Sequence, residues 1–167
     1  MNPTVVLVCS CLILCLGFGV RAGFGLFLQP MTLEFGWGRE VFSFALALQQ
    51  LVWGGLAAFS GAMGDRYGAG RVFATCGAFY VLGLITMAFA HTPLTLYLGA
   101  GFFIGLALTG TTFGLAMAVI ARVTPPEKRS TALGIATAAS SLGQFLLLPV
   151  TQTLIQKLDW QIALVGL

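Results

Sequence analysis

Residues 61–71 read Gly61-Ala62-Met63-Gly64-Asp65-Arg66-Tyr67-Gly68-Ala69-Gly70-Arg71, a short segment with three charges and four glycines. Before it, Val41 to Gly64 holds no charged residue in 24 positions; after it, Val72 to Ala121 holds none in 50. A single helix of the second length would be about 75 Å long at about 1.5 Å per residue, far more than the roughly 30 Å of a bilayer's hydrocarbon core. It therefore divides in two. His91-Thr92-Pro93 supplies the turn, because proline suits a helix start and disrupts a helix interior. A tight charged turn between long uncharged runs is the pattern of a chain that crosses a membrane repeatedly.

Composition leads to the same class. The 167 residues are 58% hydrophobic and only 8% charged, whereas a soluble domain carries about a quarter charged residues. This excludes a cytosolic enzyme. It also excludes a nucleic-acid-binding module, since the net charge of +3 comes from eight scattered Lys and Arg. Intrinsic disorder needs the opposite composition. Cys9, Cys11, Cys15 and Cys76 lie in apolar runs, and Cys9 and Cys11 fall about 200° apart on a helix. They read as small packing residues; no metal or cofactor is expected. No Lys or Arg precedes the apolar run of Thr4 to Leu16, so that run reads as part of a span and not as a secretory signal.

The predicted fold is an all-α membrane protein, one transmembrane half-domain over residues 1–167. Its spans are 4–33, 41–63, 72–90, 94–120 and 131–156, and 160–167 reads as the start of a sixth that the chain does not complete. Arg66, Arg71, Arg122, Lys128 and Arg129 fall on one side of the membrane, Arg39 and Lys157 on the other. The excess of basic residues places the N-terminus and the first group in the cytoplasm of a cell membrane. Trp37 and Trp160 are expected as interfacial anchors. The third span, with little beyond Thr75, Tyr80 and Thr86, reads as the most lipid-exposed. In the fourth, Gly101/Gly105 and Gly110/Gly114 lie on nearly opposite faces, as in a helix wedged between two neighbours, with Thr109, Thr111 and Thr112 as unspecific cavity candidates.

The 61–71 segment resembles the signature loop of the major facilitator superfamily, G-x-x-x-D-R-x-G with further basic residues. Gly61, Asp65, Arg66 and Gly68 match in register and Arg71 supplies a basic group, while Gly70 stands where the family usually has another. A second match runs through the fifth span: Arg129-x-x-Ala132-x-Gly134-x-Ala136-x-Ala138-Ala139-x-x-x-Gly143 is similar to the pattern of the monocarboxylate-porter and oxalate/formate-exchanger branch, with Ala139 for a Gly. Glu34-Phe-Gly-Trp37-Gly-Arg39 also looks like bacterial members of that branch. The resemblance implies the first half of a twelve-helix fold, in which two six-helix halves rock about a midplane site. It makes Gly61, Asp65, Arg66, Gly68 and Arg71 a conformational-switch loop. Asp65 is expected to accept hydrogen bonds from a helix N-terminus. Gly101 replaces the fourth-span Arg of some proton-coupled members, and no Gly-Pro follows Gly134 and Gly143, which counts against proton coupling through that Arg and against the drug–proton antiport class.

Arg21 is the one formal charge inside a span. An Arg at a helix centre costs roughly 2.5–3.5 kcal/mol on insertion scales, so it faces protein, water or a substrate. Its fork of donors matches a carboxylate, and Gly17 and Gly25 leave room on its face. Two roles fit: contact with an organic anion, or a structural Arg held by another part of the protein. Gln29 lies within about 80° of the same face. On the fifth span Thr137, Ser140, Ser141, Gln144, Thr151 and Gln152 form a polar stripe, and on the second Ser43, Gln50, Trp53 and Ser60 form a weaker one; each is either cavity lining or an interhelical seam.

The substrate-binding candidates are therefore Arg21, Gln29, Gln50, Thr137, Ser140 and Gln144. Transport of a small, monocarboxylate-like anion by alternating access, driven by a proton or counter-anion, is the leading reading, with activity dependent on a further half or a second subunit. The alternatives are a non-transporting scaffold or receptor and a half-size dimerising subunit. An intramembrane enzyme lacks any His/Asp/Glu cluster within a span.

Overall fold

The computed structural model describes residues 3–111 and 113–167, so Thr112 lies outside the described residues. Among these, five segments are long and apolar enough to cross a membrane: Thr4–Phe35, Arg39–Tyr67, Ala69–Ala88, Pro93–Val123 and Pro126–Leu158. In chain order the elements are α1 (Pro3–Phe35), α2 (Arg39–Tyr67), α3 (Ala69–Ala88) and α4 (Pro93–Leu96), then a π-helical segment (Tyr97–Phe103). They continue as α5 (Ile104–Thr111), α6 (Phe113–Val123), α7 (Pro126–Leu158) and α8 (Trp160–Gly166). No strand occurs among the described residues.

The turn expected at His91-Thr92-Pro93 is built as the residues dictate. Thr92 Oγ1 accepts from the Thr95 amide at 3.3 Å, Thr95 Oγ1 accepts from the Thr92 amide at 3.2 Å, and Pro93 opens the helix. This reciprocal cap satisfies donors that a helix start leaves orphaned.

Close packing of small residues sets the helix positions. α1 packs chiefly on α7, through a seam on which Ala132, Ala136, Ser140 and Gly143 are buried. A Cβ at Gly19 would stand 2.6 Å from the Gly143 carbonyl oxygen, and one at Gly143 would collide with the Cys15 carbonyl. The fourth span is wedged as expected: Cβ positions at Gly101 and Gly105 lie 3.2 and 3.0 Å from the Ala45 and Gln49 carbonyls of α2, while those at Gly99 and Gly110 meet Gly83 and Cys76 of α3. Gly114 departs from the expected pairing, since its nearest neighbour is Ser60 of α2. The π-helical segment was not legible in the sequence. It coincides with Gly99 and Gly101, and buried Gln49 donates from Nε2 to the Ala100 carbonyl within it at 2.8 Å.

Within this chain α3 is more enclosed than α2 and α7, with 33% of its apolar window buried against 17% for each of those, because Tyr80, Gly83, Leu84, Met87 and Ala88 are enclosed. One expectation is corrected: Trp160 is no interfacial anchor, since it is buried and its indole Nε1 donates to the Glu34 carboxylate. Phe35 stacks on Trp37 at 4.5 Å and meets Trp160 edge-on at 5.9 Å, which ties the end of α1 to the start of α8.

Two helix junctions use a single residue in nearly the same conformation, Gly68 (φ 85, ψ 134) and Asp159 (φ 79, ψ 150). Glycine adopts it freely; for Asp the strain is about 1–3 kcal/mol. Asp159→Gly is therefore expected to raise the thermal midpoint in detergent by a few degrees, after allowance for about 0.4–1 kcal/mol of extra unfolded-state entropy; an unchanged or lower midpoint contradicts the strain. Gly143→Val should lower the midpoint and the yield of monodisperse protein, because the Cys15 backbone cannot retreat without parting α1 from α7.

Candidate functional site

Arg21 sits near the middle of α1, whose backbone stays close to α7 and largely apart from α2. Its side chain spans the gap between α1 and α2. Nη2 donates to Gln50 Oε1 at 2.8 Å, and the guanidinium carbon lies 5.1 Å from the centroid of the Trp53 ring. Gln50 and Trp53 are three residues apart on α2, so both point toward one partner. Arg21 Nε is buried with no acceptor. Among the described residues no carboxylate pairs with Arg21, and the ion pair found is Arg122–Asp65.

Gln50 and Trp53 also form one end of a cavity of about 420 Å³. The rest of its wall is Gly54, Ala57 and Ser60 of α2, Thr109 of α5, and Phe113 and Gly114 of α6. The hydroxyls on this wall are already used: Ser60 Oγ donates to the Ala57 carbonyl at 2.7 Å and Thr109 Oγ1 to that of Gly105 at 3.1 Å. The amide of Gln50 is thus the donor at the polar end, and its Oε1 accepts from Arg21, which lies outside the cavity's lining. Gly25 and Gly54, one turn beyond Arg21 and Gln50, have nothing within 4 Å of a Cβ position. The walls beside the guanidinium are open.

The other candidates are dispersed. Gln29 is exposed, and its amide makes no hydrogen bond to Arg21 among the described residues. The α7 stripe splits by environment. Ser140 and Thr151 are buried, while Thr137, Ser141 and Gln152 are exposed and Gln144 is half-buried. Ser140 Oγ donates to the Thr137 carbonyl at 2.8 Å and Thr137 Oγ1 to that of Leu133 at 3.0 Å. Thr151 lies against Gly23 of α1, its Oγ1 3.1 Å from a Cβ position there. Ser140 and Thr151 are thus enclosed, and Thr151 Oγ1 has no hydrogen-bond partner among the described residues. In the weaker α2 stripe Ser60 is buried and Ser43 exposed.

In the 61–71 loop, Asp65 Oδ1 accepts from Arg122 Nη2 at 2.6 Å, which joins the last turns of α2 and α6. That partner replaces the expected helix N-terminus. With side chains 65% and 58% exposed, the pair contributes about 0–1 kcal/mol, weak enough to open and close. Gly64 packs on Leu115, Gly61 has open space, and Arg66 lies over the Tyr67 ring at 5.4 Å. Gly68 takes the positive φ, and Arg71 is exposed in the first turn of α3.

Besides the Trp160–Glu34 bond, sequence reasoning missed contacts between helices from Gln49 to Ala100, Arg122 to Asp65, and Tyr80 Oη to the Gly17 carbonyl at 3.0 Å. The Arg122–Asp65 pair had a signal, since both charges end spans on the same membrane side. Gln49 had one too: two adjacent glutamines on a helix face about 100° apart, so one of them needs a buried partner.

Comparison with known proteins covers nearly the whole chain. The Major Facilitator Superfamily model matches residues 9–167. Multidrug resistance protein MdtH of Proteus mirabilis is 38% identical over 97 residues, 58% of this chain and 24% of that protein. MdtH of Blochmanniella pennsylvanica is 40% identical over 80 residues, 48% and 19% of the two chains. Monocarboxylate transporter 11 of Mus musculus is 30% identical over 153 residues, 89% of this chain and 33% of its own length. The chain spans about a quarter of the first of these relatives and a third of the last. With five apolar spans, the Gly61–Arg71 turn between two of them and a family match from residue 9 to residue 167, this chain belongs to the major facilitator superfamily.

Proposed function

We propose that this chain supplies the anion-contacting wall of a secondary transporter for a small monocarboxylate-like solute. Transport then requires an opposing half, whether from the same polypeptide or a second subunit. The observation that carries the reading is the partner set of Arg21. A cation at mid-span is held by a neutral amide and a ring face, with no carboxylate paired to it among the described residues. Its charge is left for a ligand.

The cavity's chemistry narrows the class. With its hydroxyls engaged and its wall otherwise of aromatic and small residues, it suits a solute with one anionic end and an apolar body. A polyol would leave several hydroxyls unpaired, at about 1–3 kcal/mol each. A dicarboxylate would need a second cation, which the described wall does not provide. Binding needs no covalent chemistry; differential affinity in the two access states, coupled to a proton or counter-anion gradient, drives net movement. We place the Asp65–Arg122 end in the cytoplasm of the cell membrane, from the basic excess there, and take that pair as a contact that breaks when the end opens.

The likeness to proteins named for multidrug resistance supports a second reading, export of larger apolar compounds, for which the same apolar wall is suitable. The charge of the cargo separates the two, since an uncompensated guanidinium repels a cation. A scaffold without transport makes Arg21 and Gln50 dispensable.

In proteoliposomes bearing the complete gene product, a labelled aliphatic monocarboxylate should be taken up ahead of a dicarboxylate or a polyol of similar size; equal uptake of all three overturns the substrate class. Arg21→Ala should lower monocarboxylate uptake roughly 10- to 100-fold, the loss of one or two charge-assisted hydrogen bonds, with insertion and thermal midpoint kept. Wild-type uptake by that variant removes Arg21 from the mechanism. Uptake of organic cations in preference to anions establishes the exporter reading instead.

A further inference from the structure

A second cavity, of about 340 Å³, lies on the other flank of α2, between α2, α3 and α5. Phe59, Met63, Val72, Cys76 and Phe79 are among the side chains that form its wall. Two of its polar groups are spent internally: Thr75 Oγ1 donates to the Arg71 carbonyl at 2.9 Å, and Cys76 Sγ contacts the Leu106 carbonyl at 3.9 Å. One formal charge borders it, Arg71, at the end of the spans. Arg71 is exposed and forms no ion pair among the described residues, while nearby Asp65 is taken by Arg122. Phe59 and Met63 are 62% and 46% exposed, so the groove opens at the surface of the spans.

An apolar channel closed at one end by an unpaired guanidinium is complementary to an amphiphile with an anionic head. Along α3 from Arg71 to Phe79 the groove runs about 12 Å, and along α2 from Tyr67 to Leu56 about 16 Å, at about 1.5 Å per residue. These lengths match half of the roughly 30 Å hydrocarbon core, the depth of one leaflet. The guanidinium stands at headgroup level, beside Arg66 and with Arg122, Lys128 and Arg129 at span ends on the same side of the membrane. Basic pockets between spans favour anionic headgroups in this way. We propose that this groove seats one acyl chain of an anionic phospholipid, with its phosphate on Arg71. Ser60 and Thr109 belong to both this wall and that of the cavity beside Gln50, whereas Arg71 and Thr75 border this groove alone.

Native mass spectrometry of the detergent-solubilised complete gene product, titrated with dioleoyl phosphatidylglycerol, tests this directly. One tightly bound lipid is expected, with dioleoyl phosphatidylcholine binding roughly tenfold more weakly. Arg71→Gln should weaken the phosphatidylglycerol adduct to a similar degree. Thr75→Trp, which fills the groove from an exposed position, should abolish it while the thermal midpoint of the lipid-free protein stays unchanged. Lys128→Gln, which removes a cation from the same membrane side away from the groove, should leave it intact. Equal weakening by Lys128→Gln would make the preference a general surface-charge effect and overturn the site. So would displacement of the lipid by inorganic phosphate alone, unaltered binding to Arg71→Gln, or persistence of the adduct in Thr75→Trp because another helix covers the groove.

Discussion

In hydrocarbon, a hydroxyl without a partner is expensive and the nearest acceptor is a backbone carbonyl one turn back. Several hydroxyls follow this rule, and the buried Thr151 Oγ1, which has no partner among the described residues, departs from it. Thr75, Thr86, Thr109, Thr111, Thr137 and Thr153 each donate to the carbonyl four residues earlier, and Ser60 and Ser140 to the one three earlier. The effect is to remove hydroxyls from the interactions that distinguish one helix neighbour from another. Contacts between helices fall instead to groups too long to turn back on their own helix: Arg21, Gln49, Tyr80, Arg122 and Trp160.

Those longer groups act where the glycines have set the spacing. Gly19 and Gly143 bring α1 against α7 so closely that their backbones meet. Gly17, also on α1, gives its carbonyl to Tyr80 of α3. Pulled toward α7 and tied to α3, α1 leaves a gap beside the middle of α2 that Arg21 bridges. The fourth span, wedged by Gly99, Gly101, Gly105 and Gly110, closes the other side of α2 and provides the far wall of the cavity. Glycine packing and the reach of one guanidinium are thus parts of a single arrangement.

This division explains what was legible in the sequence. Charge-free length located the spans, because a bilayer admits few charges whatever the tertiary contacts. The turn at His91-Thr92-Pro93 was legible because local chemistry alone sets it. Arg21 stood out because its burial needs a reason. The polar stripe on α7 was legible only as a shared face, since periodicity does not report that Ser140 and Thr137 turn their hydroxyls onto their own helix. Trp160 misled for a related reason: an indole beside a charge at a span end suits the interface equally well until a carboxylate such as Glu34, 126 residues away, is placed within reach. The π-helical segment left no signal beyond two glycines.

The identity of the residue opposite Arg21 bears on the proposed anion site. Had position 50 been an acid, the guanidinium would be neutralised within the fold, and a solute carboxylate would have to displace a charged competitor while leaving a second buried charge unpaired. Gln50 offers a hydrogen bond without a countercharge. In the proposed site it would keep the cation oriented between visits, and its exchange for an anion would gain electrostatic energy without stranding a charge. The remaining unpartnered Nε of Arg21 adds to the gain only if the side chain turns enough to expose it. A modest gain is what a carrier needs, because a ligand held too tightly in one access state is not released in the other. A neutral partner at position 50 therefore favours both occupancy and turnover.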